Sequence, residues 1–241
     1  MRTRLYETTP RIADWVESKV GPSDKTSVER LGDLAEDVAD FEVTRATGEK
    51  LRVSLKYNHA ALKHPRPYSL AAACGLDSGS AEDLSHRAKM KRATEPLTQV
   101  ATLGKKSLYR DLPNETHQMY HTVVEVCADS LNGWLQAGGT RMAERLFSFL
   151  VGVNFFKVIV SDRVGDPVDV QDYSQIPLPR TAIATTRNSY LCLKFDNGWQ
   201  VELRLHTASS RLPRNLRSQL SLKFDAQRIA GLVSSSQLDI S

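Results

Sequence analysis

Two short runs near the N-terminus hold the residue types that phosphodiester hydrolysis needs: Asp37-Val-Ala-Asp40-Phe-Glu42, then Val53-Ser54-Leu55-Lys56. A carboxylate can hold a divalent cation that shields a phosphate and lowers the pKa of a coordinated water. A nearby ammonium can orient that water or stabilise the charge of the transition state. Mg²⁺ keeps several of its own waters, so one or two carboxylates suffice to bind it. Asp40 precedes Lys56 by sixteen positions. A turn near Thr47 and Gly48 would set them on the two arms of one hairpin. Asp40 would then face Ser54, with Lys56 two positions further along the same side. An ordinary hairpin with solvent-facing charges fits the same spacing, because an Asp followed later by x-x-Lys is a degenerate signal.

The residues that follow are Tyr57-Asn58-His59-Ala-Ala-Leu-Lys63-His64-Pro-Arg66-Pro. Basic and amide side chains there could hold phosphates or read base edges. A zinc site on His59 and His64 is the weaker alternative. Their spacing is not the i,i+4 of a helical pair, and no nearby Cys completes a ligand set. Near the C-terminus, Trp199 to His206 alternates apolar residues with Gln200, Glu202, Arg204 and His206, so one face is polar. Arg can read guanine through two parallel hydrogen bonds. Ser209, Ser210, Arg211, Arg214 and Arg217 follow, in a segment suited to clamping phosphates.

These groups must be positioned by regular elements. Ser27 to Leu34 carries Val28, Leu31 and Leu34 at spacings of three and predicts a helix that contains Glu29. Val38–Val43 and Leu51–Lys56 predict the two strands of the first hairpin. Tyr68 to Gly75 predicts one or two helical turns, and Ala81 to Ala93 a helix. Asn114 caps a helix ending at Gly138-Gly139, and Thr140 opens the next. Phe155 to Val160 predicts a buried strand. Asp196-Asn-Gly198 joins Ser189–Phe195 to Trp199–His206 as the clearest hairpin in the chain. Asp162, Asp166, Asp169 and Asp172 have the wrong spacing for a calcium loop and predict a polar loop. Met119, Trp134, Phe147, Phe149, Phe155 and Phe156 are core candidates. With no internal repeat or low-complexity linker, the pattern predicts one α/β or α+β domain over 1–241. It comprises a hairpin region at about 37–67, a helical middle at about 76–150 and a C-terminal region at about 189–227.

Composition narrows the class. The chain has 241 residues, 41% hydrophobic and 25% charged, which excludes wholesale disorder. No apolar run is long enough to span a membrane. Met1 to Pro10 lacks the apolar segment of a signal peptide, and the three cysteines are few and widely spaced. The expectation is a cytoplasmic protein without a disulfide framework. No Gly-rich phosphate loop or dinucleotide fingerprint is present, so no nucleotide cofactor is expected. The net charge of +4 is mild but unevenly spread. Residues 1–50 hold 8 basic and 11 acidic side chains, a net of −3. Residues 86–110 hold seven basic groups against Glu95, and residues 203–228 hold six against Asp225. An acidic region beside two basic blocks suits a metal site next to a polyanion-binding surface.

Two separated motifs carry a family resemblance. Asp37-Val-x-Asp40 followed by Val53-Ser-Leu-Lys56-x-Asn-His59-x-Ala-Leu-Lys63-His64-x-Arg66-Pro resembles the HaeIII-type type II restriction endonucleases. So does Phe195-Asp-Asn-Gly-Trp199, then Arg204-Leu-His206-x-Ala-Ser-Ser210 and Ser221-Leu-Lys-Phe-Asp225. Together they cover about a third of the chain.

The resemblance implies a PD-(D/E)XK nuclease core, a mixed central sheet flanked by helices, here with an additional C-terminal β-hairpin. It implies Mg²⁺-dependent cleavage of double-stranded DNA at a short palindrome, GGCC being the family's best-known target, by a homodimer. Asp40 would be the principal metal ligand, with Asp37 the competing assignment, and Lys56 the catalytic lysine. Ser54 stands where the wider fold has Asp or Glu, so the second carboxylate would come from Glu29, which is favoured, or from Glu42. Asn58, His59, Lys63, His64, Arg66, Arg204, His206, Ser209, Ser210, Arg211 and Lys223 would contact DNA. A repair or structure-specific nuclease of the same fold, and a DNA-binding protein without catalysis, are the rivals.

Overall fold

The computed structural model describes residues 2–20, 27–31, 39–45, 47–57, 63–161, 166–212, 220–231 and 233–238. In chain order the elements are α1 (Arg2–Val20), β1 (Ser27–Arg30), β2 (Phe41–Thr44), β3 (Lys50–Tyr57), α2 (Leu70–Ala73), α3 (Ala81–Leu103) and α4 (Pro113–Leu150). They continue with β4 (Phe156–Val160), β5 (Val168–Asp172), β6 (Ala182–Arg187), β7 (Tyr190–Phe195), β8 (Gln200–Thr207), β9 (Leu222–Ala230) and β10 (Ser234–Leu238). The fold is mixed α and β. No described helix is long and apolar enough to cross a membrane. By contact density the chain divides into two compact units, one of residues 1–62, 151–177 and 232–241, the other of 63–150 and 178–231.

The first unit is built on a six-stranded sheet in the order β1-β2-β3-β4-β5-β10. β3 and β4 run parallel and the other neighbours antiparallel. The alternation of β3 explains its placement: Leu51 and Val53 are buried on the side that packs against Trp15 of α1, together with Val43, Val158, Val160, Val168 and Val170. Trp15 meets the Phe156 ring edge-on at 5.4 Å. The period of two sends Asp40, Glu42, Arg52, Ser54, Lys56, Lys157, Asp169 and Gln171 to the opposite side.

The second unit packs the long helix α4 against a four-stranded antiparallel sheet in the order β6-β7-β8-β9. Phe147, fully buried, touches the rings of Phe195 and Trp199 at 5.1 and 5.6 Å. Asn132 pins α4 to β6: its Nδ2 donates to the Ala184 carbonyl, and its Oδ1 accepts from the Ala184 N–H, both at 2.9 Å. Gly139 interrupts α4 with φ +54° and ψ −140°, where the sequence places the break between two helices. Gly198, at φ +88°, closes the β7–β8 turn in a conformation that disfavours side chains.

Three expectations are corrected. Residues 27–30 form strand β1, not the start of a helix, because they pair with β2 from Ser27–Thr44 to Arg30–Phe41. Val28 is 68% exposed, so the apolar spacing that suggested a helix buries nothing there. Asp169 and Asp172 lie on β5 rather than in a polar loop, since Val168 and Val170 of that strand enter the core, and Asp162 lies outside the described residues. The C-terminal hairpin is the centre of a four-stranded sheet, because β6 and β9 add to its two edges. Of the core candidates, Met119, Trp134, Phe147 and Phe155 are buried, whereas Phe149 and Phe156 are only partly so.

The start of α3 offers a local test. The Ser80 hydroxyl accepts the Asp83 N–H at 3.2 Å. Ser80→Ala is expected to cost about 1 kcal/mol, measured as a shift in the denaturant midpoint.

Candidate active site

The hairpin of β2 and β3 brings Asp40, Ser54 and Lys56 together as the sequence predicts. Phe41 pairs with Val53, and the Asp40 N–H donates to the Val53 carbonyl at 2.8 Å, which sets Asp40 beside Ser54. Asp40 Oδ2 accepts the Leu55 N–H at 2.6 Å and the Ser54 hydroxyl at 3.1 Å. Lys56 Nζ lies 3.6 Å from the same oxygen. Asp40 is 49% exposed and Lys56 19%. Two hydrogen bonds and one ion pair therefore converge on one carboxylate oxygen of a side chain that solvent still reaches. Ser54 is fully buried, so at this position the chain has a donor that orients Asp40 instead of a second carboxylate.

The alternative metal ligands are placed differently. Glu42 shares the face of Asp40, but its carboxylate is tied to Lys50 at 2.7 Å and lies 4.0 Å from Arg52. The hydrogen bond to Glu42, followed by its charge, raises the pKa of Lys50. Glu29 is exposed on β1, in register with Glu42 rather than with Asp40. Asp37, Asn58 and His59 lie outside the described residues. Among the described residues no three His, Cys, Asp or Glu side chains cluster as a metal-binding group. What remains is one oriented carboxylate, which fits a cation that keeps most of its waters.

The same sheet face holds a group that sequence reasoning missed. Lys157 on β4 is in register with Ser54 and is fully buried. Its Nζ donates to the Tyr173 hydroxyl at 2.8 Å and sits over that ring at 4.4 Å. Tyr173 donates to Gln171 Oε1 at 3.3 Å, and Gln171 Nε2 donates to Asp169 at 3.0 Å. Burial, then the charge of Lys56, brings the Lys157 pKa down to about 8, and Asp169 opposes the shift. The one available signal was a lysine inside the apolar run Phe155 to Val160.

The candidate DNA contacts that are described lie in the second unit. Arg204 on β8 is exposed and in register with Asp225 on β9. Asp225 gathers three others: His206 Nε2 at 2.5 Å, Lys223 Nζ at 3.4 Å and His64 Nδ1 at 3.5 Å. Lys63 Nζ lies 5.5 Å from the centre of the Phe149 ring, and Arg66 is exposed. Ser209 Oγ accepts the Arg211 N–H at 3.1 Å. The Ser210 carbonyl accepts from Tyr109 at 3.2 Å, which anchors this turn. Arg214 and Arg217 lie outside the described residues. Of the other basic block, Lys89, Lys91, Arg92, Lys105, Lys106 and Arg110 are exposed, whereas Arg87 is bound to Asp83.

A polar groove between α3 and α4, about 320 Å³ in volume, is lined by Glu82, His86, Lys89, Asp129, Ser130 and Trp134. Both ring nitrogens of His86 are engaged, Nδ1 with the Ser130 hydroxyl at 2.9 Å and Nε2 with the Pro67 carbonyl at 2.7 Å. Burial lowers its pKa from 6.5. The unfolded chain then binds the proton more readily, so stability should fall as pH drops below about 6.5. His86→Gln is expected to flatten that part of a pH series of denaturant midpoints.

No family model, curated protein or solved structure matches this chain.

Proposed function

We propose that the protein is a type II restriction endonuclease of the HaeIII type, with a PD-(D/E)XK core, that hydrolyses double-stranded DNA at a short palindrome such as GGCC. The observation that carries this reading is the convergence of the Leu55 N–H, the Ser54 hydroxyl and Lys56 on one oxygen of a half-exposed Asp40. Asp40 would hold Mg²⁺, which supplies Lewis-acid activation of the scissile phosphate and of water. Ser54 and the Leu55 N–H fix the carboxylate through Oδ2, and Oδ1 would take the cation. Lys56, partly exposed beside it, offers an ammonium to the charge that develops on the phosphate. The exposed arginines and lysines of the second unit would hold the DNA backbone, and Arg204 would read a base. A palindrome cut on both strands calls for a homodimer with two such sites.

Plasmid DNA incubated with the protein and Mg²⁺ should yield discrete fragments, and sequencing their ends gives target and cut position together. A smear would turn the reading toward a repair or structure-specific nuclease. The buried Ser54 in place of a second carboxylate favours one further reading, a DNA-binding protein without catalysis. Retention of a duplex with no cut under any divalent cation would select it. Ser54→Ala removes one of the two hydrogen bonds that orient Asp40. Cleavage should fall about 10- to 100-fold, as for other groups that orient a metal ligand, with a matching rise in the Mg²⁺ concentration required.

A further inference from the structure

The open side of β8 and β9 has a carboxylate at the centre of a basic cluster. Arg204 stands opposite Asp225 in register, and His206 stands opposite Lys223. Neighbouring positions on one face of an antiparallel pair lie within side-chain reach. The Phe224 N–H donates to the Pro65 carbonyl at 3.1 Å, which brings residues 64–66 against β9 and places His64 by Asp225. His206 Nδ1 is bonded to the Thr207 carbonyl at 3.0 Å, so its ring is held with Nε2 toward Asp225. Nε2 is buried and lies 2.5 Å from the Asp225 carboxylate. Asp225 is the single acid of the block 203–228.

Carboxylate and phosphate oxygens accept from the same basic donors, and lysine and arginine serve both. An acid ringed by His64, His206, Lys223 and Arg204 therefore occupies a place suited to a phosphodiester. We propose that this cluster is a phosphate-binding site of the DNA surface and that Asp225 is its internal competitor, weakening attachment to DNA of any sequence. The inference rests on the DNA-binding reading above. Sequence-independent binding comes almost wholly from phosphate contacts, so a built-in competitor limits retention on non-target DNA while leaving base contacts to set the preference.

The test is fluorescence anisotropy with a labelled duplex of scrambled sequence, without Mg²⁺, over a salt series. Asp225→Asn should bind about five-fold more tightly than the unsubstituted protein. Its plot of log affinity against log salt should steepen by about 0.9 for each added phosphate contact. Asp77→Asn, the same charge change at an exposed residue between α2 and α3, controls for general electrostatics. Equal gains in both variants, or an unchanged salt slope, would overturn the proposal while leaving DNA binding in place. Failure of the unsubstituted protein to bind any duplex would overturn the proposal together with the functional reading. If Asp225→Asn does not fold, Lys223→Gln gives the converse measurement, a slope shallower by about 0.9, and no change there overturns the proposal as well.

Discussion

Asp40→Asn is expected to lower cleavage about 10³-fold or more while duplex binding persists. Positioned cation chemistry supplies several kcal/mol of transition-state stabilisation, and each 1.36 kcal/mol is a factor of ten. The Asn side chain keeps the shape and can still accept the Leu55 N–H at the position of Oδ2, so the hairpin should hold. It loses the negative charge that would bind the metal. Lys56→Ala should fall by a similar factor for a different reason, since it removes the charge that would balance the developing phosphate. The two variants separate in their metal dependence: raising Mg²⁺ should partly restore Asp40→Asn and leave Lys56→Ala unchanged. Single-turnover cleavage of a plasmid across a Mg²⁺ series checks both. If Asp40→Asn cuts at the original rate, the hydrolytic site lies elsewhere.

Lys157→Met should stabilise the protein below pH 8. The lysine is fully buried, and its pKa stands at about 8 against an ordinary 10.5. Between those two values the unfolded chain binds more protons than the folded one. Stability therefore rises with pH from about 8 to about 10.5, and below about 8 the folded state carries the whole penalty. That difference is about 3 kcal/mol at 1.36 kcal/mol per pKa unit. Methionine fills a similar volume without a charge. It forfeits the bond to Tyr173, worth about 1 kcal/mol, while the Tyr173 hydroxyl keeps Gln171 as a partner. A net gain of about 2 kcal/mol is expected at pH 7, with the rise between pH 8 and 10.5 abolished. Denaturant titration of both proteins across pH 6 to 10.5 measures it. A less stable Lys157→Met at pH 7 would show that the Lys157 charge is compensated in the fold.

Much of the candidate site could be read directly from the chain because it is local. The first hairpin closes over a few residues, and its alternation places Leu51 and Val53 on one face of the sheet and Ser54 and Lys56 on the other. Once the turn at Gly48 is recognised, the closeness of Asp40, Ser54 and Lys56 follows from strand geometry alone. The β7–β8 hairpin is legible for the same reason, through Asp196-Asn-Gly198 and the alternation on either side. The break at Gly139 is likewise a local conformational demand.

Glu29, Lys157 and Asp225 were not legible, and each miss has the same cause. Glu29 sits in a segment whose helical spacing is real, but pairing of residues 27–30 with β2 outweighs so short a local preference. Lys157 faces Ser54 across a parallel pairing that joins positions 103 residues apart. Asp225 draws in His64, which reaches β9 through the Pro65 carbonyl and not through any pattern near residue 225. Sequence by itself determined the mixed α and β class, the two hairpins and the Asp40–Ser54–Lys56 grouping, since turn chemistry and periodicity act over a few residues. Tertiary structure alone decided which strands flank those hairpins, that a lysine is buried beside the site and that His64 is brought to Asp225. Those outcomes depend on burial and charge contacts between segments far apart in the chain, whose energies no short window of residues contains.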